Sequence, residues 1–209
     1  MAVTPKSLTS AAVRGVQWTT AASVATALMQ IGYTAVMARL LDPASFGLVA
    51  MAGVVLRFGT YFAEMGLGHA IVQRSSISKQ DVRAAFTASL GLGAGVAALA
   101  CLLAPLAVYF LKNEAVVPLV RLQSLGFVFV GLGMTSTSLL RREMRFEVLA
   151  KIEVAAYILG YGGIGVTLAW ATSKGLLPFS GVWSLIAASL AQQLLVALMS
   201  YLVVRHSLR

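Results

Sequence analysis

Charge is scarce in this chain. Only 11% of its 209 residues are Asp, Glu, Lys or Arg, where a soluble domain carries about 25%, so a core wrapped in a solvated surface is excluded. The seven acidic residues are spread over the whole length, and no two form the carboxylate pair that glycosyl-transfer or metal-dependent chemistry uses. There is one cysteine, Cys101, so no intrachain disulfide can form, and its place inside an apolar run marks it as an inert, small apolar side chain. The two histidines, His69 and His206, are far apart and poorly placed for a metal. No phosphate-cradling G-x-x-x-x-G-K-[ST] loop, H-E-x-x-H, C-x-x-C or G-x-S-x-G occurs. These absences argue against an enzyme, and nothing in the chain asks for a cofactor or a metal.

What is abundant is apolar length. Hydrophobic residues make up 59% of the chain and the mean hydropathy is +0.86. A hydrocarbon core ~30 Å thick needs about 20 apolar residues in a helix rising 1.5 Å per residue. Stretches of that kind lie near 15–38, 46–72, 84–111, 116–139, 148–171 and 182–204. The fold class this predicts is all-α: a polytopic bundle of six membrane-spanning helices. No linker, repeat or low-complexity tract divides them, so residues 1–14 read as a tail and 15–209 as one six-helix lobe. The first stretch exceeds the 7–15 residues of a signal-peptide core and reads as a true helix that doubles as an uncleaved insertion signal.

The net charge of +9 does not point to nucleic acid, because its distribution follows the loops. Lys6, Arg14, Arg74, Lys79, Arg83, Arg141, Arg142, Arg145, Lys151, Arg205 and Arg209 fall on one side of the predicted membrane; only Arg39, Lys112 and Lys174 fall on the other. Short loops rich in Lys and Arg stay in the cytoplasm, so both termini are predicted to be cytoplasmic. The basic loops, Arg141, Arg142 and Arg145 above all, are expected to contact lipid headgroups. Trp170 and Trp183 mark the outer interface, and Trp18 and Tyr201 the inner.

The polar residues inside the spans are ordered. Thr19, Ser23, Thr26, Gln30 and Thr34 recur every three or four residues, so they share one helix face. That face either packs tightly on other helices or lines a wet cavity, and the bulk of the Gln30 amide favours the cavity. Arg57, Tyr61 and Glu64 share a face of the second span, the charges roughly 10 Å apart along the axis. A charge at the bilayer centre costs at least ~2.5–3.5 kcal/mol, so these residues mark either a pathway or an ion pair with another helix. Arg121, one turn into the fourth span, either snorkels to the outer interface or sits at a cavity mouth. Residues 139–147 read as a short interfacial helix, with Glu153 beyond it paired to Lys151 or a nearby loop. Ser78 and Asp81 form a capping-box pattern, and Gly91 with Gly95 a G-x-x-x-G that permits close backbone contact. Pro105 predicts a kink.

Four phrases carry a resemblance: Ala-Arg-Leu-Leu-Asp-Pro-Ala-Ser-Phe-Gly-Leu-Val-Ala-Met (38–51), Phe-Ala-Glu-Met-Gly-Leu-Gly-His-Ala-Ile-Val-Gln-Arg (62–74), Leu-Leu-Arg-Arg-Glu-Met-Arg-Phe (139–146) and Gly-Val-Trp-Ser-Leu (181–185). With the spacing of the spans, the chain resembles the Wzx-type polysaccharide flippases, part of the superfamily that includes the MATE exporters. The resemblance implies a multi-pass protein of the bacterial inner membrane. It would move undecaprenyl-diphosphate-linked oligosaccharide across the membrane by alternating access between two lobes. It also implies basic residues in a central cavity that hold the diphosphate, for which Arg57 comes first and Arg121 second. Tyr61, Gln30 and Thr26 would line the same cavity, and Glu64 would either balance Arg57 or carry a coupling proton. Family members have a second lobe of like size, whereas this chain stops after six spans. A lone lobe leaves its cavity face uncovered, so the chain is expected to be a truncated product, or to meet a second lobe from a homodimer or another chain. The alternative is a non-catalytic membrane scaffold for a polysaccharide assembly complex.

Overall fold

The computed structural model describes residues 5–63, 78–178 and 180–204, with the backbone alone at 5–12, 58 and 60–63. Among the described residues there are α-helices and one π-helical segment, and no strand. They run α1 (Pro5–Leu40), α2 (Pro43–Ala63), α3 (Lys79–Leu111), α4 (Val116–Gln123), α5 (Leu125–Arg142), α6 (Phe146–Tyr157), the π segment (Ile158–Gly165), α7 (Val166–Ser173) and α8 (Val182–Val204). α4 and α5 make one pass, and α6, the π segment and α7 another. Five passes are long and apolar enough to cross a membrane: Val13–Leu40, Lys79–Leu111, Val116–Arg142, Phe146–Ser173 and Val182–Val204. α2 has 21 residues and carries Arg57; against the six spans expected, its apolar stretch among the described residues, Pro43–Arg57, is shorter than a span. The protein is an all-α, multi-pass membrane bundle.

Local chemistry sets the helix ends. At the start of α3 the Ser78 hydroxyl accepts from the Asp81 N–H at 3.1 Å while an Asp81 carboxylate oxygen accepts from the Ser78 N–H at 2.9 Å. This is the capping box expected from the sequence. α3 stops where Lys112 turns left-handed (φ +52°) and its N–H closes on the Val108 carbonyl.

The connector after α5 differs from expectation. No separate interfacial helix forms over 139–147: α5 continues to Arg142 and α6 begins at Phe146. The turn is of the Schellman kind. Met144 takes φ +56°, its N–H reaching the Arg141 carbonyl at 3.1 Å and the Arg145 N–H the Leu140 carbonyl at 2.9 Å. The apolar side chains of 139–146 serve two abutting helices: Leu140 and Leu149 are buried with Ile152 in one cluster against Val196 and Met199 of α8. Lys151 pairs with Glu147 at 2.7 Å, one turn behind it, and not with Glu153.

The core follows α8. The largest cluster joins Ala52 and Leu56 of α2, Val96 and Ala104 of α3, Val116, Leu119 and Val120 of α4, Phe127 of α5 and Ile186 of α8. A second joins Met37 of α1, Ala169 of α7 and Leu185 of α8. Close approach is made by glycine. A methyl added at Gly160 would lie 2.8 Å from the Gln192 backbone nitrogen, one at Gly165 2.7 Å from Ala188 Cβ, one at Gly126 2.6 Å from Gln193 Oε1, and one at Gly133 3.0 Å from Ala197 Cα. On α3 the close contact falls on Gly93, which meets the Phe127 backbone, while Gly91 and Gly95 face open space. The expected G-x-x-x-G contact is therefore displaced. Gly93 shares the packed face with Ser89, Val96 and Ala97, and positions two residues away lie on the far side of a 3.6-residue turn.

These contacts give an expected outcome. Gly160→Ala should destabilise the protein by about 1–3 kcal/mol, because the α8 backbone has to move. Gly162→Ala, with nothing within 4 Å, should be neutral or stabilise by up to about 1 kcal/mol through helix propensity. Thermal unfolding in detergent, followed by tryptophan fluorescence, separates the two.

Candidate functional site

α1 is held to the bundle by a narrow seam. Gly15, Ala22 and Met37 are buried, and Trp18, Met29, Tyr33 and Leu40 are half-buried between them. They recur at helical spacing and meet α6, the π segment and α7: Gly15 sits under the Phe146 ring, the Trp18 ring lies 5.6 Å from Lys151 Nζ, and Tyr33 meets Tyr161 edge to face at 4.9 Å. The polar stripe falls one residue further round, about 100° from the seam: Thr19 follows Trp18, Ser23 follows Ala22, Gln30 follows Met29 and Thr34 follows Tyr33. Thr19, Ser23, Gln30 and Thr34 are exposed and Thr26 is half-buried. Seven residues beyond Gln30 the stripe reaches Met37, which packs into one cluster with Leu185 of α8. The stripe therefore lies on the flank of α1 that turns toward α8 and α2.

α2 is two-faced. Ala52 and Leu56 are buried, with Val49 and Val55 packed beside them. Gly47, Ala50, Val54 and Arg57, spaced three, four and three, are exposed. Arg57 has no hydrogen-bond or ion-pair partner among the described residues. It lies about 16 Å along the axis from Phe46, half the depth of a ~30 Å hydrocarbon core. Near the turn at Leu41, α1 and α2 share a cluster through Leu40, Leu41, Phe46 and Val49. Beyond it they part, α1 following α6 and α7 while α2 follows α3, α4 and α8. The Arg57 face of α2 and the α1 stripe are both exposed on this lobe. Tyr61 lies outside the described side chains and Glu64 outside the described residues, so a link between Glu64 and Arg57 is not part of the description.

Arg121 is exposed on α4. Its carbonyl accepts from the Ser124 hydroxyl at 2.7 Å and from the Cys101 thiol at 3.6 Å, which ties this bend of the fourth pass to α3. Cys101 also contacts Ser124 Oγ at 3.1 Å, so its sulfur is a polar partner as well as a packing group. No hydrogen bond or ion pair joins Arg57, Arg121, Gln30 and Thr26 to one another among the described residues. On the connector, Arg141 and Arg145 are exposed, and Arg145 lies 3.5 Å from Glu143.

Several polar groups escaped the sequence reading. Gln192 and Gln193 stand together in the middle of α8, half-buried; their signal was two adjacent amides in an otherwise apolar span. Gln123 buries its carbonyl oxygen without a partner, as Tyr33 and Tyr157 bury their hydroxyls. Tyr157 stacks on Tyr161 at 4.7 Å, so three phenols gather at the π segment, a kind of helix defect frequent at functional sites. The i, i+4 tyrosines among four glycines were the visible clue. No group of three or more His, Cys, Asp or Glu able to hold a metal occurs among the described residues.

A family profile described as "Polysaccharide biosynthesis protein" matches residues 36–209. The chain belongs to the polysaccharide biosynthesis protein family. All four phrases that resemble the Wzx-type flippases fall within the matched region. Relatives include the lipopolysaccharide biosynthesis protein WzxC of Escherichia coli (strain K12), 28% identical over 74% of this chain and 32% of its own length. The teichuronic acid biosynthesis protein TuaB of Bacillus subtilis (strain 168) is 25% identical over 78% of the chain and 34% of its own length. An uncharacterized membrane protein in the cps region of Klebsiella pneumoniae is 24% identical over 71% and 31%. The chain thus spans about a third of the length of these curated relatives. No solved structure matches.

Water access distinguishes the two flanks of α1. In a Cys101→Ser background, a cysteine at Gln30 should react with a membrane-impermeant maleimide at least about tenfold faster than one at Leu28, which is 65% exposed on the far side, because a thiol in lipid does not ionise. Labelling in intact membranes reads the ratio.

Proposed function

We propose that this chain forms one lobe of a transporter that moves a polyprenyl-diphosphate-linked oligosaccharide across the bacterial inner membrane for cell-surface polysaccharide assembly. Its role is in transport and not in catalysis. The observation that carries the reading is Arg57: a guanidinium at mid-depth, exposed on the face of α2 turned from the core, without a partner among the described residues. Such a group is expensive in lipid and well matched to a phosphate, which it binds in a bidentate fork. Family membership and the names of WzxC and TuaB support the substrate class. The α1 stripe, with Gln30 and Thr26, and the Arg57 face would border one cleft where α1 and α2 part, the stripe meeting sugar hydroxyls. Arg121, Tyr61 and Glu64 join this assignment by their sequence positions.

A single lobe cannot alternate access by itself. A second lobe, from more of the same polypeptide, a second copy or another chain, would cover the cleft and complete the cavity. Both termini would then lie in the cytoplasm, as the loop charges require, and Arg141, Arg142 and Arg145 would meet anionic headgroups of that leaflet.

The test is complementation of polysaccharide export in cells lacking the native transporter. Arg57→Ala should reduce export by about tenfold or more, the scale of losing a charged hydrogen bond of ~1.5–3 kcal/mol. Arg57→Lys should restore part of it, since charge without the fork binds phosphate less selectively. Full export by Arg57→Ala at normal protein level would remove the transport role and leave the scaffold reading. Reporter fusions at residue 209 should be active only on the cytoplasmic side.

A further inference from the structure

A groove of about 430 Å³ runs between the ends of α1 and α7, lined by Val36, Arg39, Leu40, Val166, Thr167 and Trp170. Its size falls in the ~300–1,000 Å³ range of pockets that hold small ligands. It lies at the end of the bundle where α1 turns into α2 and α7 stops at Ser173. This is the level at which Trp and Arg side chains meet headgroups.

The groove is two-part. Val36, Leu40 and Val166 make apolar walls. The donors free to bind are on Arg39 and Trp170. Arg39 is exposed and has no partner among the described residues. Trp170 is 52% exposed, and its indole N–H can only donate. The Thr167 hydroxyl already gives its proton to the Gly163 carbonyl at 2.7 Å. A ligand that satisfies both parts is an anion rich in acceptors with an apolar tail.

Position decides between the lipids that fit this description. Val36 and Arg39 each precede a seam residue, Met37 and Leu40, so the groove sits on the opposite flank of α1 from the polar stripe and the Arg57 face. We infer that this groove holds an anionic phospholipid of the surrounding leaflet, its phosphate against Arg39 and Trp170 and an acyl chain along Val36 and Val166. The site does not depend on the transport reading.

Native mass spectrometry of the full chain, released from detergent micelles carrying equimolar phosphatidylglycerol and phosphatidylcholine, tests it. The wild type should retain phosphatidylglycerol over phosphatidylcholine by about tenfold. Arg39→Gln should abolish the preference and Arg39→Lys should keep part of it. Val36→Trp, which fills the groove but leaves the charge, should lose the bound phosphatidylglycerol. Equal retention of the two lipids by the wild type, an unchanged preference in Arg39→Gln, or wild-type binding by Val36→Trp would each overturn the inference. So would displacement of phosphatidylglycerol by an equal concentration of undecaprenyl phosphate, which would make the groove part of the substrate's path.

Discussion

In hydrocarbon, apolar side chains gain little by leaving lipid for protein, so helices associate only where their surfaces fit closely. This bundle meets that constraint at α8. Gly126 and Gly133 on the fifth helix, and Gly160 and Gly165 in the π segment, bring neighbouring backbones onto Gln193, Ala197, Gln192 and Ala188. Leucine at any of these positions would hold the helices apart and forfeit dispersion contacts along the whole interface. α8 also contributes to all three apolar clusters, through Ile186, Leu185 and Val196. α3 instead packs on α5, where Gly93 meets the Phe127 backbone and Gly131 the Ser89 carbonyl.

α8 packs the fourth and fifth passes and part of α2, while α1 lies mainly against α6 and α7. The outer surface of α1 and α2 carries the Thr19–Thr34 stripe and Arg57, while short hydroxyls such as Ser89, Thr135 and Ser200 are buried. Long apolar side chains such as Leu102, Tyr109 and Phe110 of α3 are also exposed, at 76%, 83% and 79%, but for them lipid is a suitable solvent. The two kinds of exposed surface differ in what they need outside: one needs acyl chains and the other needs water, an anion or protein.

The sequence made the passes legible because bilayer thickness fixes apolar length, and it made the stripes legible because helical period fixes faces. Arg57 and Gln30 could be assigned to faces from spacing alone. Which face would be packed was beyond that reading. Gly91, Gly93 and Gly95 are equally small, and only the position of Phe127 selects Gly93. The connector misled for a related reason. Leu140 and Met144, four residues apart, have the spacing of an amphipathic helix face, yet Met144 takes a left-handed backbone and folds the stretch into two abutting helices. Tyr157 and Tyr161 were legible as an i, i+4 pair, but their meeting with Tyr33 of α1 is a contact between helices that no single-helix pattern encodes.

Arg57 is where these constraints conflict. A guanidinium at mid-depth facing acyl chains carries a cost of ~2.5–3.5 kcal/mol or more, comparable with what a tight glycine contact contributes, and α2 offers it no carboxylate among the described residues. Snorkelling does not relieve it, since a side chain ~7 Å long falls short of either interface from the centre of a ~30 Å core. A helix that keeps such a residue on its uncovered side is stable in a membrane only if something else shields it. On the proposed transport role, the same exposure leaves the cation's donors open to an anionic ligand, because an arginine already satisfied inside the lobe would have none to offer.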